Sequence, residues 1–289
     1  MSTRLRDYLA LTKPRLTALA LLATLVGFLM GSLRPWAHLW VLIPTLLGAA
    51  LIGAGANALN QWAERDTDAL MRRTQARPLP AGRLKPAHAL RMAVVMASLG
   101  LVILFGLVNS LAGWLGAATL LSYNGLYTPL KRKTSLCTIV GAIPGALPPL
   151  IGWAAARGTL GLEAWVLYAI MFLWQLPHFL ALAWLYRDDY ARAGFPMLSV
   201  VDPEGFMTGR QIVLYGLALL PTSLLPTVLG LTGGWYFIGA GVIGLWFMGT
   251  AIAAAWTRSS ALANRLFLAS VGYLPMLLFL MVIDKGGLG

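Results

Sequence analysis

Asn60, Glu64 and Asp68 lie at i, i+4 and i+8 in the stretch NQWAERDTD, so a helix continuing to about residue 70 carries all three on one face. At ~1.5 Å rise per residue the two carboxylates stand about 6 Å apart along the axis. Such a ladder suits a small hard cation: magnesium takes one or two protein carboxylates while phosphate oxygens and water fill its other positions. Arg72, Arg73, Arg77, Arg83 and Lys85 follow, and arginine's planar fork matches phosphate oxygens in pairs. Acids for a metal beside bases for an anion point to a diphosphate. The plain alternative is an ordinary polar loop, with Arg72 and Arg73 marking topology and Glu64 and Asp68 on a solvated face. Asn57, Asn60 and Gln61 favour a site, because carboxamides on an otherwise apolar helix need partners inside the bundle. Asp66 points off this face and is expected to be structural or to make a water-mediated contact.

A second polar cluster sits in WQLPHFLALAWLYRDDYARAGFPML (Trp174–Leu198). His178 stands within an apolar run, with Gln175 one turn earlier and Pro177 beside it. Neutral imidazole there could contact a porphyrin, ligate iron or accept a proton; alternatively it only satisfies backbone freed by Pro177. Asp188 and Asp189, next to Arg187, form a second acidic group, and two such groups could hold two metal ions against one diphosphate. Lys131, Arg132 and Lys133 either add positive charge to that site or mark topology. Asn124 and Tyr127 either line the cavity or pack.

The elements that must position these residues are helices in a bilayer. Of 289 residues 58% are hydrophobic and 11% charged, and the mean hydropathy is +0.74, which excludes a water-soluble globule. The expected fold is all-α and polytopic. Spans of roughly 20 apolar residues are expected at 15–33, 38–62, 87–108, 111–128, 136–156, 162–186, 209–230, 233–256 and 261–283, nine in all. No cleavage pattern follows the first, so no signal peptide is expected. With the N-terminus cytoplasmic and the C-terminus outside, all but Arg34, Arg157 and Lys285 of the 22 lysines and arginines share the cytoplasmic side. The net charge of +12 therefore reports orientation, not nucleic-acid binding. A single cysteine, Cys137, excludes an internal disulfide and a thiolate metal cluster. The long polar loops 63–86 and 187–208 fall on the cytoplasmic side, where function is expected. Pro144, Pro148 and Pro149 should kink the fifth span, and residues 1–289 read as one domain.

Three segments, NQWAERDTDALMRRTQARPL, YTPLKRKTSLCTIVGAIPGALPPLIGW and WQLPHFLALAWLYRDDYARAGFPML, resemble the UbiA intramembrane prenyltransferases, and in particular their heme-modifying branch. The pattern N-x-x-x-D-x-x-x-D is broad in that family; RTQARPL, YTPLKR, GALPPLIGW, WQLPHF and YRDDYARAGFPML are the specific part. Two departures stand out: Glu64 replaces the usual middle aspartate, and Asp188–Asp189–Tyr190 replaces a second D-x-x-x-D. The resemblance implies transfer of farnesyl from farnesyl diphosphate to the 2-vinyl group of heme b, with release of diphosphate and Mg2+ as cofactor. By position, Asn60, Glu64 and Asp68 match the first motif and Asp188 and Asp189 the second, giving the expected catalytic and metal set. Arg73, Arg77 and Lys131 match basic motifs and, with Arg187, form the expected diphosphate set. His178 falls on the heme side, and with Asn124, Tyr127 and Gln175 makes the expected substrate pocket. Trp62, Trp153, Phe172 and Trp174 are candidates for cation–π stabilisation of an allylic cation. The resemblance further implies an inner-membrane location, a site on the cytoplasmic side and a downstream heme A synthase as partner. Competing readings are a relative acting on a quinone precursor or chlorophyllide, and a secondary transporter; the latter would put its ionisable groups near mid-membrane.

Overall fold

The computed structural model describes residues 3–33 and 38–286; Arg34, one of the cations expected on the sparsely charged side, lies outside them. A short α1 (Thr3–Leu11) turns through Lys13 into α2 (Pro14–Gly31), followed by α3 (Leu39–Asp68) and α4 (Pro86–Ile103). A π-helical turn, Leu104–Val108, extends α4; α5 (Ser110–Leu120) then runs through a second π-helical stretch, Leu121–Tyr127, into the single turn α6 (Thr128–Leu130). Next come α7 (Cys137–Ala146), α8 (Pro148–Arg157), α9 (Leu162–Leu185), the short α10 (Arg187–Arg192) and α11 (Leu198–Val201), then α12 (Phe206–Val228), α13 (Gly234–Thr257) and α14 (Ser260–Ile283). Among the described residues the nearest thing to a strand is one isolated bridge, Thr232 to Lys285.

Local chemistry sets these limits. Pro14, Pro86 and Pro148 open α2, α4 and α8, where a missing N–H costs no intrahelical bond. Asn109 caps α5 by accepting from Ala112 N at 2.8 Å and donates to the Ala154 carbonyl at 2.8 Å, tying α5 to α8. Gly158 ends α8 with φ of 71°, the left-handed conformation that glycine adopts freely. The expected span 136–156 is divided at Leu147, because Pro148 and Pro149 bring no amide hydrogens to continue α7.

Among the described residues eight helices are long and apolar enough to cross a membrane, taking α7 with α8 and α4 with its π-helical extension. The expected span 111–128 is helical over Ser110–Leu130 but does not count among them. Ser122, Tyr123, Asn124 and Tyr127 make its end polar.

Small residues let the helices approach closely. A Cβ at Gly27 would lie 2.0 Å from the Pro149 carbonyl oxygen, and one at Gly152 would lie 1.9 Å from that of Thr24. The α2–α8 contact thus closes the floor of the bundle. At the same end the C-terminal carbonyls of α2 are capped by distant cations: Arg157 Nε donates to Gly31 O at 2.6 Å, and Lys285 Nζ donates to Leu29 O at 2.6 Å and to Ser32 O. The opposite end gathers the Lys13 turn and the segments 69–85, 131–136 and 186–205.

Candidate active site

At that polar end α3 presents one buried face of Asn60, Glu64 and Asp68, each no more than 3% exposed. Helical spacing puts them in line, and α1, α2 and the Leu121–Leu130 segment cover them. Asn57 and Gln61 find their partners on the α1–α2 turn. Asn57 Nδ2 donates to Thr17 Oγ1 at 3.4 Å, and Gln61 Nε2 donates to Leu11 O at 2.8 Å. Asn60 bridges two elements, accepting from Lys13 Nζ at 3.3 Å and donating to Thr128 Oγ1 at 3.2 Å.

The two carboxylates share one arrangement. Glu64 Oε2 accepts from Lys131 Nζ at 2.9 Å, and Asp68 Oδ2 accepts from Arg77 Nη1 at 2.6 Å. Their other oxygens, Glu64 Oε1 and Asp68 Oδ1, are buried and accept nothing. A buried acceptor left unmade costs roughly 1–3 kcal/mol, more when charged, so this pair is a receptor awaiting a cation or donor. Burial works against the Lys131 charge, but the Glu64 carboxylate, by its charge and its hydrogen bond, together with Tyr190 raises the pKa above the usual lysine value. Lys13 goes the other way: burial, then repulsion from Arg77, lowers its pKa to about 7 despite the nearby Glu64. Its backbone is held at φ of 45°, a costly conformation for a residue with a Cβ.

Around this core the segments 69–85 and 186–205 dock together. Asp189 accepts from the backbone N–H groups of Arg72 and Arg73 at 3.1 and 3.2 Å and pairs with Arg192. Arg73 donates to the Tyr190 hydroxyl at 3.1 Å and lies 4.4 Å over the Tyr186 ring. Lys131 Nζ stands 4.7 Å over Phe195. Met71, Cys137, Tyr190, Phe195 and Met197 form the apolar seam between the two segments.

The structure sets the expected residues of the second acidic group apart from Glu64 and Asp68. Asp188 is 91% exposed beside Arg187, whose guanidinium lies over Trp184, so neither reaches Glu64 or Asp68. Asp189 has both oxygens committed and acts as a clamp. Of the five residues expected to hold metal, Glu64 and Asp68 are the two that keep a buried carboxylate oxygen without a partner. They fit magnesium, which needs only one or two protein carboxylates when diphosphate supplies the rest. Lys13 is the residue the sequence conceals: before Pro14 at the start of a span it looks like an ordinary topology marker.

Asn57, about two turns before Glu64 on α3, lines a largely apolar cavity of about 250 Å3, walled also by α2, α7–α9 and the Leu121–Tyr127 segment. Tyr123 and Tyr127, stacked with centroids 5.4 Å apart, line it together with Gln175 and His178. The π-helical turn places both tyrosines inward, and such turns recur at functional sites. Asn124 is not on this wall: its amide donates back to Leu120 O at 3.4 Å. Of the four aromatics expected to face a cation only Trp174 lines the cavity, while Trp62 and Trp153 pack against arginines and Phe172 stacks on Tyr168.

The family model for UbiA prenyltransferases matches residues 20–280. The chain belongs to the UbiA prenyltransferase family. Its relatives include a protoheme IX farnesyltransferase from Solibacter usitatus, 49% identical over 98% of this chain and 100% of that protein. One from Opitutus terrae is 44% identical, covering 98% of this chain and 96% of the relative. Among solved structures, that of digeranylgeranylglyceryl phosphate synthase superposes with a TM-score of 0.79 at 17% identity, covering 98% of this chain and 99% of that one. A UbiA homolog from Archaeoglobus fulgidus bound to DMAPP and Mg2+ gives 0.65 at 16% identity, over 96% and 99%. At these identities the structures speak for the UbiA fold, and that fold is all-helical, multi-pass and membrane-embedded.

Proposed function

We propose that the protein transfers the farnesyl group of farnesyl diphosphate to the 2-vinyl group of heme b, giving the hydroxyethylfarnesyl side chain of heme O. The carrying observation is the pair of buried carboxylate oxygens without partners, flanked by Lys13, Arg77 and Lys131, on the same helix whose Asn57 lines an apolar cavity shared with His178. The protoheme IX farnesyltransferase relatives supply the acceptor.

Glu64 Oε1 and Asp68 Oδ1 would hold magnesium, which supplies positive charge to the departing diphosphate. Arg77 and Lys131 keep each carboxylate oriented, and Lys13, Arg77 and Lys131 offer N–H donors to phosphate oxygens as negative charge builds on them. Arg73, braced on Tyr186 and Tyr190, closes the site from the loop. Asn60 positions Lys13. The apolar walls keep water from the allylic cation until the vinyl carbon has attacked, and the Tyr123 and Tyr127 rings offer it π faces. Water then captures the cation formed on the former vinyl group and gives up its proton to the released diphosphate, leaving the hydroxyl.

The same reading treats Ser110–Leu130 as a ninth span within one domain, in the cell's inner membrane. The N-terminus and the site lie on the cytoplasmic side and the C-terminus outside. The charge distribution supports this, since Arg157 and Lys285 gather at the end away from the site. Partners in this scheme are farnesyl diphosphate, heme b, the bilayer and a downstream heme A synthase. Incubating purified protein with heme b, farnesyl diphosphate and magnesium should yield heme O by mass spectrometry; absence of a magnesium-dependent product overturns the proposal.

A further inference from the structure

Ser270 of α14 is fully buried, and its hydroxyl meets two partners: His178 Nδ1 at 2.7 Å and the Phe267 carbonyl at 2.5 Å. A serine hydroxyl has one proton to give. The carbonyl can only accept, so that proton lies toward Phe267, and the Ser270 oxygen accepts from His178. The imidazole proton therefore sits on Nδ1, and Nε2 keeps a bare lone pair.

The ring is held in this pose from several directions. It stacks on Trp174 with centroids 5.2 Å apart and planes 24° from parallel, and packs against Phe267 at 4.9 Å. Trp174 is fixed in turn by donating its indole N–H to the Ser270 carbonyl at 2.8 Å. Two links from α14, one to each ring, thus lock the pair on α9. His178 lines the apolar cavity, and among the described residues Nε2 makes no hydrogen bond. Gln175, one turn away, is not free to serve it, because its amide donates to Met171 O at 2.9 Å and Ala142 O at 3.4 Å.

We infer that Ser270 is a positioning residue that holds His178 as its Nδ1–H tautomer, so that Nε2 ligates the iron of the substrate heme. A neutral imidazole whose second nitrogen donates to a fixed oxygen is the usual form of a histidine metal ligand, and that oxygen sets both ring orientation and donor strength. The inference rests on the heme reading given above. Ligation would register the porphyrin by its iron and so select which edge faces the diphosphate.

The test is a titration of ferric and ferrous heme b into purified wild type, His178→Ala, Ser270→Ala and Ser270→Thr without farnesyl diphosphate, followed by absorption and electron paramagnetic resonance. Wild type should show imidazole ligation, His178→Ala should lose it, and added imidazole should restore it. Ser270→Ala should bind heme roughly 10–100-fold more weakly with an altered spectrum, whereas Ser270→Thr, which keeps the hydroxyl, should preserve the signature. A wild-type spectrum unchanged in His178→Ala overturns the inference even if heme O is made. Imidazole ligation here, together with no heme O in the separate assay containing farnesyl diphosphate and magnesium, would instead overturn the farnesylation reading and leave the ligand assignment standing. A Ser270→Ala spectrum identical to wild type, in protein of normal helix content, removes Ser270 from the scheme.

Discussion

Glu64 and Asp68 turn inward from α3 and each keeps one buried oxygen free, whereas on α10 Asp188 faces solvent and Asp189 spends both oxygens on the loop opposite. The two segments have similar composition and lie at the same end of the bundle. What separates them is which groups reach them. The α3 carboxylates meet one cation apiece, which steadies them without filling their coordination. Asp189 meets two backbone N–H groups and Arg192, which fill it. An acid with a free buried oxygen is prepared to receive a ligand; one with both oxygens engaged holds the protein to itself.

Four substitutions probe that contrast. Asp68→Ala should lower farnesyl-transfer turnover the most, by roughly 10²–10³-fold, the range found when one preorganised electrostatic contact to a transition state is removed. Turnover near wild type would erase the distinction between the segments. Lys13 comes next. With its pKa lowered to about 7 it is charged on the acid side and neutral above, so its pull on diphosphate fades as pH rises through that value. The protonated fraction drops roughly tenfold per pH unit beyond it. The KM for farnesyl diphosphate should climb accordingly, and Lys13→Met should flatten the profile; an unchanged slope would exclude Lys13 from the anion site.

Asp189→Ala leaves the Arg72 and Arg73 amides without their acceptor, a loss of about 1–3 kcal/mol. We expect faster proteolysis within 69–85 and a higher KM, with kcat largely kept. A collapse of kcat equal to that of Asp68→Ala would make Asp189 a ligand after all. Asp188→Asn should do least. At an exposed site the change lies within about 0.5 kcal/mol, and a large drop in rate would show that α10 reorients when substrate binds.

Much of the scaffold was legible in the sequence. Apolar runs of membrane length gave spans whose limits fall close to the observed helices, as with 162–186 against Leu162–Leu185. Prolines 144, 148 and 149 announced the break at Leu147. The four-residue spacing put Asn60, Glu64 and Asp68 on one face, because angular position on a helix depends only on residue number. The polar end of Ser110–Leu130 was harder, since a π-helical turn shifts that registry and the pattern alone does not announce it. Of the pair Asn124 and Tyr127, Tyr127 lines the cavity and Asn124 does not, and Tyr123, for which no such role was expected, stands on the wall instead.

By itself, then, the sequence determined the membrane class, the helical segments and the acidic face of α3, all of which follow from hydropathy and periodicity within one segment. Tertiary structure decided which acids keep a free oxygen, that Lys13 reaches Asn60 and that Ser270 meets His178. Those facts depend on partners 47 residues away for Asn60, 67 for Glu64, 117 for Arg72 and 92 for His178. Periodicity says where a side chain points. What it meets there is set by which distant segments burial brings against it, and the balance between desolvation and pairing then decides its charge and its use.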